Sequence, residues 1–107
     1  MGEFEELALL MVIILNDEAY VFNLREEIFA QLNRSVAMGA LHATLSRLEK
    51  KGFLESTMKG ATTERGGRRK RVYQLTASGK AAIVKVREMR EMLWNQVPQI
   101  GLNLRYG

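Results

Sequence analysis

Apolar residues recur every three or four positions along the first half of the chain, which is the spacing of helices that bury one face. The first run, residues 7–15, follows Glu3, Glu5 and Glu6, and a helix macrodipole favours acidic side chains at its N-terminus. We therefore predict a helix over residues 3–15, although the run taken alone could also be a core strand. Because its apolar residues go all round, this helix should be buried, in part by another chain.

Two further helices are predicted before residue 53. The second passes through four apolar residues at helical spacing and ends at Asn33 as its C-cap: Val21, Leu24, Ile28 and Leu32. The third runs from Met38 to Lys51 and is closed by Gly52. Its core stripe is formed by residues three or four positions apart, namely Met38, Leu41, Leu45 and Leu48.

The opposite face of the third helix carries small and cationic side chains. At about 100° per residue, this face contains Gly39, Ala43, Ser46, Arg47 and Lys50, with His42 on its flank. Small residues allow close approach to another surface, and cations on the same side favour a polyanion, as a helix entering the DNA major groove requires. On this helix alone, an ordinary solvated face fits the pattern equally well.

The period changes after Gly52. Residues 53–58 and 71–75 are predicted strands of an antiparallel hairpin, joined by a long connection over residues 59–70. Two glycines let the connection bend, and its cations can contact phosphates or a narrow minor groove: Arg65, Arg68, Arg69 and Lys70. Helices followed by a basic hairpin predict a winged helix-turn-helix, in an α+β, mostly helical chain.

A last helix is predicted from Ala77 to Val97, with Thr76 as its N-cap and Pro98 ending it. Its apolar residues approximate an a/d seam of Ala82, Val86, Met89, Leu93 and Ile100, widened by Ile83, Met92 and Trp94. Such a helix, about 30 Å long, presents more apolar surface than three short helices and a hairpin can cover. The simplest partner for it is the same helix of a second copy.

The distribution of charge supports a polyanionic partner. The net charge is +4, but residues 1–58 carry −4, residues 59–71 carry +5 and residues 72–107 carry +3. Charge concentrated so locally is typical of a surface that binds a polyanion. The plainer interpretation is that the basic segment is a solvated loop.

Composition excludes several classes of function. The chain has no cysteine and a single histidine, so it cannot form a disulfide or a thiolate zinc site, and we expect no metal or cofactor. No P-loop pattern or telling pair of carboxylates occurs, which makes catalysis the least favoured class. The longest apolar run has nine residues and no basic segment before it, so we expect neither a membrane span nor a signal peptide. The chain is expected to be cytoplasmic.

Four segments together resemble the PadR family of bacterial transcriptional regulators: GEFEELALLMVII, DEAYVFNLREEI, VAMGALHATLSRLEKKGFLES and ERGGRRKRVYQLTASGKAAI. The resemblance covers roughly residues 2–83. The short tail with one further helix is similar to the compact branch of the family, which lacks a larger C-terminal helical domain. It implies a homodimeric regulator, often a repressor, that binds pseudo-palindromic operators in double-stranded DNA. Residues 1–76 would form the DNA-binding domain, and residues 77–107 the dimerisation helix and tail.

The resemblance also assigns residues to each surface. The third helix and the wing would contact DNA through Ala40, His42, Ala43, Arg47, Lys50, Arg65, Gly67, Arg68, Arg69 and Lys70. The dimer interface would contain Leu7, Leu10, Ile14, Val86, Met89, Leu93, Trp94 and Val97. Trp94 could instead line a site for a flat aromatic effector, but filling the interface is the favoured role. Tyr73 is expected to be structural.

Two departures from the family pattern bear on the DNA contacts. His42 and Ala37 replace residues that are usually Tyr and Ser, so operator preference cannot be transferred. Loss of the serine at the start of the third helix removes either a helix cap or a hydroxyl directed at a phosphate, and Ser35 is the candidate to compensate for it.

Two other classes of function remain open. A winged helix can serve as a protein–protein module without DNA, although the basic wing argues against it. RNA binding is disfavoured because the predicted sheet lacks an exposed aromatic platform.

Overall fold

A computed structural model describes residues 1–60 and 69–98, in which four α-helices and one two-stranded antiparallel sheet occur. In chain order they are α1 (Glu3–Leu15), a 3-10 turn (Asn16–Glu18), α2 (Val21–Leu32), α3 (Met38–Lys50), β1 (Leu54–Lys59), β2 (Lys70–Leu75) and α4 (Ala77–Gln96). The predicted α+β, mostly helical class is confirmed, and the alternative of a strand over residues 7–15 is wrong. Predicted ends differ from the observed ones by at most one residue: α3 and α4 end one residue earlier, β1 begins and ends one residue later, and β2 begins one residue earlier.

Helix termini follow the expected chemistry at two places and depart from it at a third. The Thr76 hydroxyl accepts a hydrogen bond from the Gly79 amide at 2.9 Å and caps α4. Asn33 ends α2 in the left-handed conformation, with φ of 52°. The N-cap of α3 is Ala37, which has no side chain to cap with, and Ser35 does not replace the missing hydroxyl.

The core lies where α1, α2 and α3 meet the start of the hairpin. Its largest fully buried side chains are mostly leucine: Leu9, Val12, Leu24, Ile28, Leu41, Thr44, Leu45, Leu48 and Leu54. Two ends of the predicted stripes are wrong, because Met38 and Leu32 are 37% and 50% exposed. Both lie at helix ends, since Leu32 is the last residue of α2 and Met38 is the first of α3.

The hairpin is fixed to this core at its base, which is the end where Leu54 pairs with Leu75. Strands β1 and β2 pair from Leu54 with Leu75 to Lys59 with Lys70. The Tyr73 amide donates to the Ala19 carbonyl at 2.9 Å, which joins β2 to the segment between α1 and α2. The Tyr73 side chain is 2% exposed, and burial raises the pKa of its phenol, in agreement with the expected structural role.

Helix α4 begins in tight contact with the hairpin and then leaves the core. Gly79 is buried, and a Cβ atom built there would lie 2.1 Å from the Phe53 carbonyl oxygen. Further along, Arg90 makes a two-point ion pair with Glu6 of α1, at 2.6 and 3.1 Å. All described residues after Arg90 are exposed.

Candidate nucleic-acid interface

The outward face of α3 is open along its whole length. Every predicted contact residue on this helix is exposed: Ala40, His42, Ala43, Arg47 and Lys50. Leu41, Leu45 and Leu48 are fully buried on the opposite side, so the core fixes which face is presented. The structure therefore offers a helix surface of small side chains with two cations toward its C-terminal end.

Arg47 is held from behind by buried groups. Its Nη2 donates to the Thr44 hydroxyl at 3.1 Å, and its Nε lies 3.5 Å from Glu5 Oε2. Lys51 Nζ donates to both carboxylate oxygens of Glu5 at 3.0 Å. The Lys51 hydrogen bond is the main reason that the pKa of Glu5 is lower than that of an ordinary glutamate.

The described end of the hairpin is strongly basic. Lys59, Arg69, Lys70 and Arg71 are all exposed there. Lys59 and Lys70 face each other across the strands, and like charges directly opposite in a sheet are destabilising. A surface that keeps such a pair is suited to an anionic partner. Three predicted wing contacts lie outside the described residues: Arg65, Gly67 and Arg68.

Two of these cations are attached to other elements. Lys70 Nζ donates to the Tyr20 hydroxyl at 3.2 Å and lies 4.3 Å from the centre of the Tyr20 ring. Arg71 donates to the Ser56 hydroxyl at 2.9 Å, and Ser56 donates in turn to Glu49 of α3 at 2.8 Å. The hairpin is thus joined to α3 and to the residue before α2.

A second surface, formed by α1 and α4, is apolar. Six of the predicted dimer residues are exposed: Leu10, Ile14, Met89, Leu93, Trp94 and Val97. Leu7 and Val86 are half-buried. Between the two helices lies an open cavity of about 1100 Å³, whose lining includes Leu10, Ile13, Arg90 and Trp94.

Residues 1–60 and 69–98 also bear on metal binding and on membrane insertion. No group of three or more His, Asp or Glu side chains in these ranges is arranged to hold a metal ion. No single helix there is long and apolar enough to cross a membrane; α1 and α2 pass on length and composition only as a pair, bent by 118°.

Sequence reasoning missed the residues that support the interface, above all Glu5, Lys51 and Tyr20. Glu5 was assigned to the helix macrodipole alone. However, its spacing of three, four and seven residues from Ala8, Leu9 and Val12 places it on the buried face of α1, and this signal was available. The pairing of Tyr20 with Lys70 joins residues 50 positions apart, and no local pattern announces it.

A comparison with protein families decides the identity of the fold. The model of the transcriptional regulator PadR-like family matches residues 9–85. The chain belongs to this family. The predicted resemblance and the winged helix-turn-helix of a PadR-like regulator are therefore confirmed. Among curated proteins, none matches the sequence significantly.

Solved structures of PadR-like proteins share the fold. A PadR-like transcription factor from Bacteroides fragilis is 22% identical with a TM-score of 0.74, over 92% of this chain and 90% of that one. A PadR-like transcriptional regulator from Bacillus cereus is 22% identical with a TM-score of 0.69, over 94% and 92% of the two chains. Bacillus subtilis PadR in complex with operator DNA is 18% identical with a TM-score of 0.63, over 79% of this chain and 46% of that one.

Proposed function

We propose that this PadR-like protein is a homodimeric repressor that binds a pseudo-palindromic operator in double-stranded DNA. One observation carries the proposal: the exposed small and cationic face of α3 is joined, through the hydrogen bonds from Arg71 to Ser56 and from Ser56 to Glu49, to the hairpin that bears four exposed cations. Residues 1–76 are the proposed DNA-binding unit and residues 77–107 the dimerisation unit. The proposed site of action is the cytoplasm, where bacterial DNA lies.

Helix α3 is the proposed reader of the major groove. Ala40 and Ala43 allow close approach to base edges, while His42 and Arg47 can donate to bases or phosphates. Lys50, at the end of the helix, is assigned to a phosphate. These assignments use side chains that are exposed and that point away from the leucine core.

The hairpin is the proposed wing that contacts the flanking backbone. Its cations would neutralise phosphates and relieve the repulsion between Lys59 and Lys70. We assign Arg65, Gly67, Arg68, Arg69 and Lys70 to this contact. Phosphate contacts of this kind set affinity and register, whereas base contacts on α3 set specificity.

The apolar surface of α1 and α4 is the proposed dimer interface. Trp94 is 65% exposed, and Leu93 and Ile14 are half-exposed, which is unfavourable for a monomer in water. A two-fold dimer would place its two α3 helices about 34 Å apart, one turn of DNA. The complex of Bacillus subtilis PadR, which shares this fold, with operator DNA supports DNA as the partner. We assign Trp94 to the interface, and the cavity beside it is where a small-molecule effector would fit.

The test is fluorescence anisotropy with a random duplex pool, followed by selection, at several salt concentrations. We expect a palindromic sequence to be enriched and log K to fall with log salt by about 0.9 for each phosphate neutralised. Single-stranded RNA of the same sequences serves as the control and should bind more weakly. A flat salt dependence without enrichment would instead favour the protein–protein module.

A further inference from the structure

The recognition surface contains an anion that a DNA-binding protein would be expected to avoid. Glu5 of α1 lies directly behind the C-terminal turn of α3, with a side chain only 10% exposed. A carboxylate so close to a phosphate-binding helix weakens the positive potential that attracts DNA. Two cations beside it, Arg47 and Lys51, offset this effect.

Buried neighbours on two helices hold Arg47 in one place. Glu5 lies 3.5 Å from its Nε and the Thr44 hydroxyl accepts from its Nη2 at 3.1 Å, and both partners are buried. A guanidinium has five N–H donors in a planar fork. With Nε and one hydrogen of Nη2 directed inward, the outer edge of the fork remains available for a bidentate contact with a phosphate or a guanine.

Lys51 is the closer partner of the Glu5 carboxylate, so Glu5 can hold Arg47 in position without neutralising its charge. Lys51 Nζ binds both oxygens of Glu5 at 3.0 Å, a closer contact than the 3.5 Å to Arg47. Arg47 and Lys51 are four residues apart on one helix face, where like charges repel each other. The carboxylate between them removes that repulsion, and the trio keeps a net charge of +1.

We infer that Glu5 is a positioning residue for DNA recognition: it aims the guanidinium of Arg47 outward while Lys51 serves as its counter-ion. The inference rests on the proposed DNA-binding function and adds a residue outside α3 and the wing to it. The ordering of Arg47 before binding reduces the side-chain entropy that is lost when the complex forms.

The direction in which Glu5→Gln changes operator affinity separates a positioning role from simple electrostatics. Glu5→Gln removes a negative charge, so an unfavourable field alone predicts tighter binding to the operator. Positioning predicts weaker binding, by about three- to tenfold, and less than the loss caused by Arg47→Ala. Glu3→Gln is the matched control, because it removes the same charge from α1 at a side chain that is 82% exposed. Glu3→Gln should leave affinity unchanged or raise it slightly.

A double-mutant cycle on operator affinity tests whether Glu5 acts through Arg47. In the Arg47→Ala background, Glu5→Gln should no longer weaken binding, and affinity should stay unchanged or rise slightly. In ¹⁵N NMR spectra, the Arg47 Nε–H signal should be distinct and slowly exchanging in the wild type and should lose that protection in Glu5→Gln. Glu5→Asp keeps the charge but shortens the reach, so it too should weaken binding; it remains informative where Glu5→Gln does not fold.

Several results would overturn the inference. One is tighter or unchanged operator binding by both Glu5→Gln and Glu5→Asp. Another is a loss of operator affinity from Glu5→Gln that is equally large in the wild-type and Arg47→Ala backgrounds, which would mean that Glu5 acts on the fold. An Arg47→Ala variant with wild-type affinity would also overturn it while leaving the proposed function intact. Failure of the wild-type protein to select any operator would overturn the proposed function itself, and that result appears before any variant is made.

Discussion

Three cations of the candidate interface are tied to the fold before any partner binds. Arg47 contacts Glu5 and Thr44, Lys70 contacts Tyr20, and Arg71 contacts Ser56. Long basic side chains lose considerable rotamer entropy when they bind, up to about 2 kcal/mol each. A side chain that is already ordered loses less, so these contacts favour a defined geometry of binding over a purely diffuse attraction.

The Glu5 cluster should make stability depend on pH in the acid range. Because the pKa of Glu5 is lowered in the folded state, chiefly by its hydrogen bond from Lys51, the stabilisation is complete above the ordinary glutamate pKa of about 4.3. It is lost as pH falls from there through the lowered value. At pH 7, Glu5→Gln should reduce the free energy of unfolding by about 1–3 kcal/mol, and this difference should shrink toward pH 3.

Urea unfolding of wild type and Glu5→Gln at several pH values measures this difference. Glu3→Gln is again the control, since its exposed partner Arg34 lies 3.5 Å away and should contribute little at any pH. A difference between wild type and Glu5→Gln that stays constant down to pH 3 would contradict the assigned ion cluster.

Gly79 should be the most restrictive glycine among those described. A Cβ atom there would lie 2.1 Å from the Phe53 carbonyl oxygen, and backbone cannot move aside cheaply. We expect Gly79→Ala to lower the free energy of unfolding by at least about 1–3 kcal/mol, despite the better helix propensity of alanine. Thermal unfolding should show a lower midpoint.

Gly39→Ala provides the comparison for this change. Gly39 is also near the start of a helix, but nothing lies within 4 Å of the Cβ position. There the propensity of alanine acts alone and should raise stability by up to about 1 kcal/mol. Equal effects of the two substitutions would show that α4 does not pack closely against the hairpin.

At the scale of elements, the hairpin is built to be held at its base and charged at its end. Its base is anchored through Leu54, Tyr73 and the Thr76 amide, which donates to the Phe53 carbonyl at 3.1 Å. The described part of its end carries two exposed lysines that face each other. Because the base is anchored and the end is charged, substitutions near the base should change stability, whereas substitutions near the end should change anion binding.

Substitution of the wing cations should therefore change DNA binding and leave stability unchanged. Replacing Arg68 and Arg69 by Ala should weaken binding to every duplex, whatever its sequence, and flatten the salt slope by up to about 2 units. Anisotropy titrations at several salt concentrations measure both quantities. An unchanged slope would exclude these residues from the interface, and a change restricted to one operator would assign them to base contacts instead.

The element pattern was predictable because each helix and strand carries its own local signals. Leu41, Leu45 and Leu48 mark the inner face of α3, and Thr76 and Asn33 mark helix ends. The contacts that order the cations were not predictable in the same way, because they join distant segments. The pairs Glu5–Lys51 and Tyr20–Lys70 bring together residues 46 and 50 positions apart, and no periodicity encodes such distances.

At the scale of the whole molecule, α1 connects the two candidate surfaces. Glu5 contacts α3 behind its small and cationic face, and the next residue, Glu6, forms an ion pair with Arg90 of α4. Leu10 and Ile14 on the same helix lie exposed beside α4. A change in how α4 packs would therefore act first on the helix that supports the recognition surface, which is how dimerisation and DNA binding would depend on each other.

Leu93→Asp should test that dependence at the proposed dimer interface. Leu93 is 50% exposed in the single chain, so an aspartate there costs the monomer little, whereas in a dimer it would bury a charge without a partner. We expect light scattering to show a monomer with unchanged helix content, and operator affinity to fall because two half-sites are no longer bound together. Ala77→Asp is the control, since this exposed position at the start of α4 lies about 160° around the helix from Leu93 and should leave the dimer intact. A Leu93→Asp variant that remains dimeric would refute the seam, and a monomeric variant with full operator affinity would separate DNA binding from dimerisation.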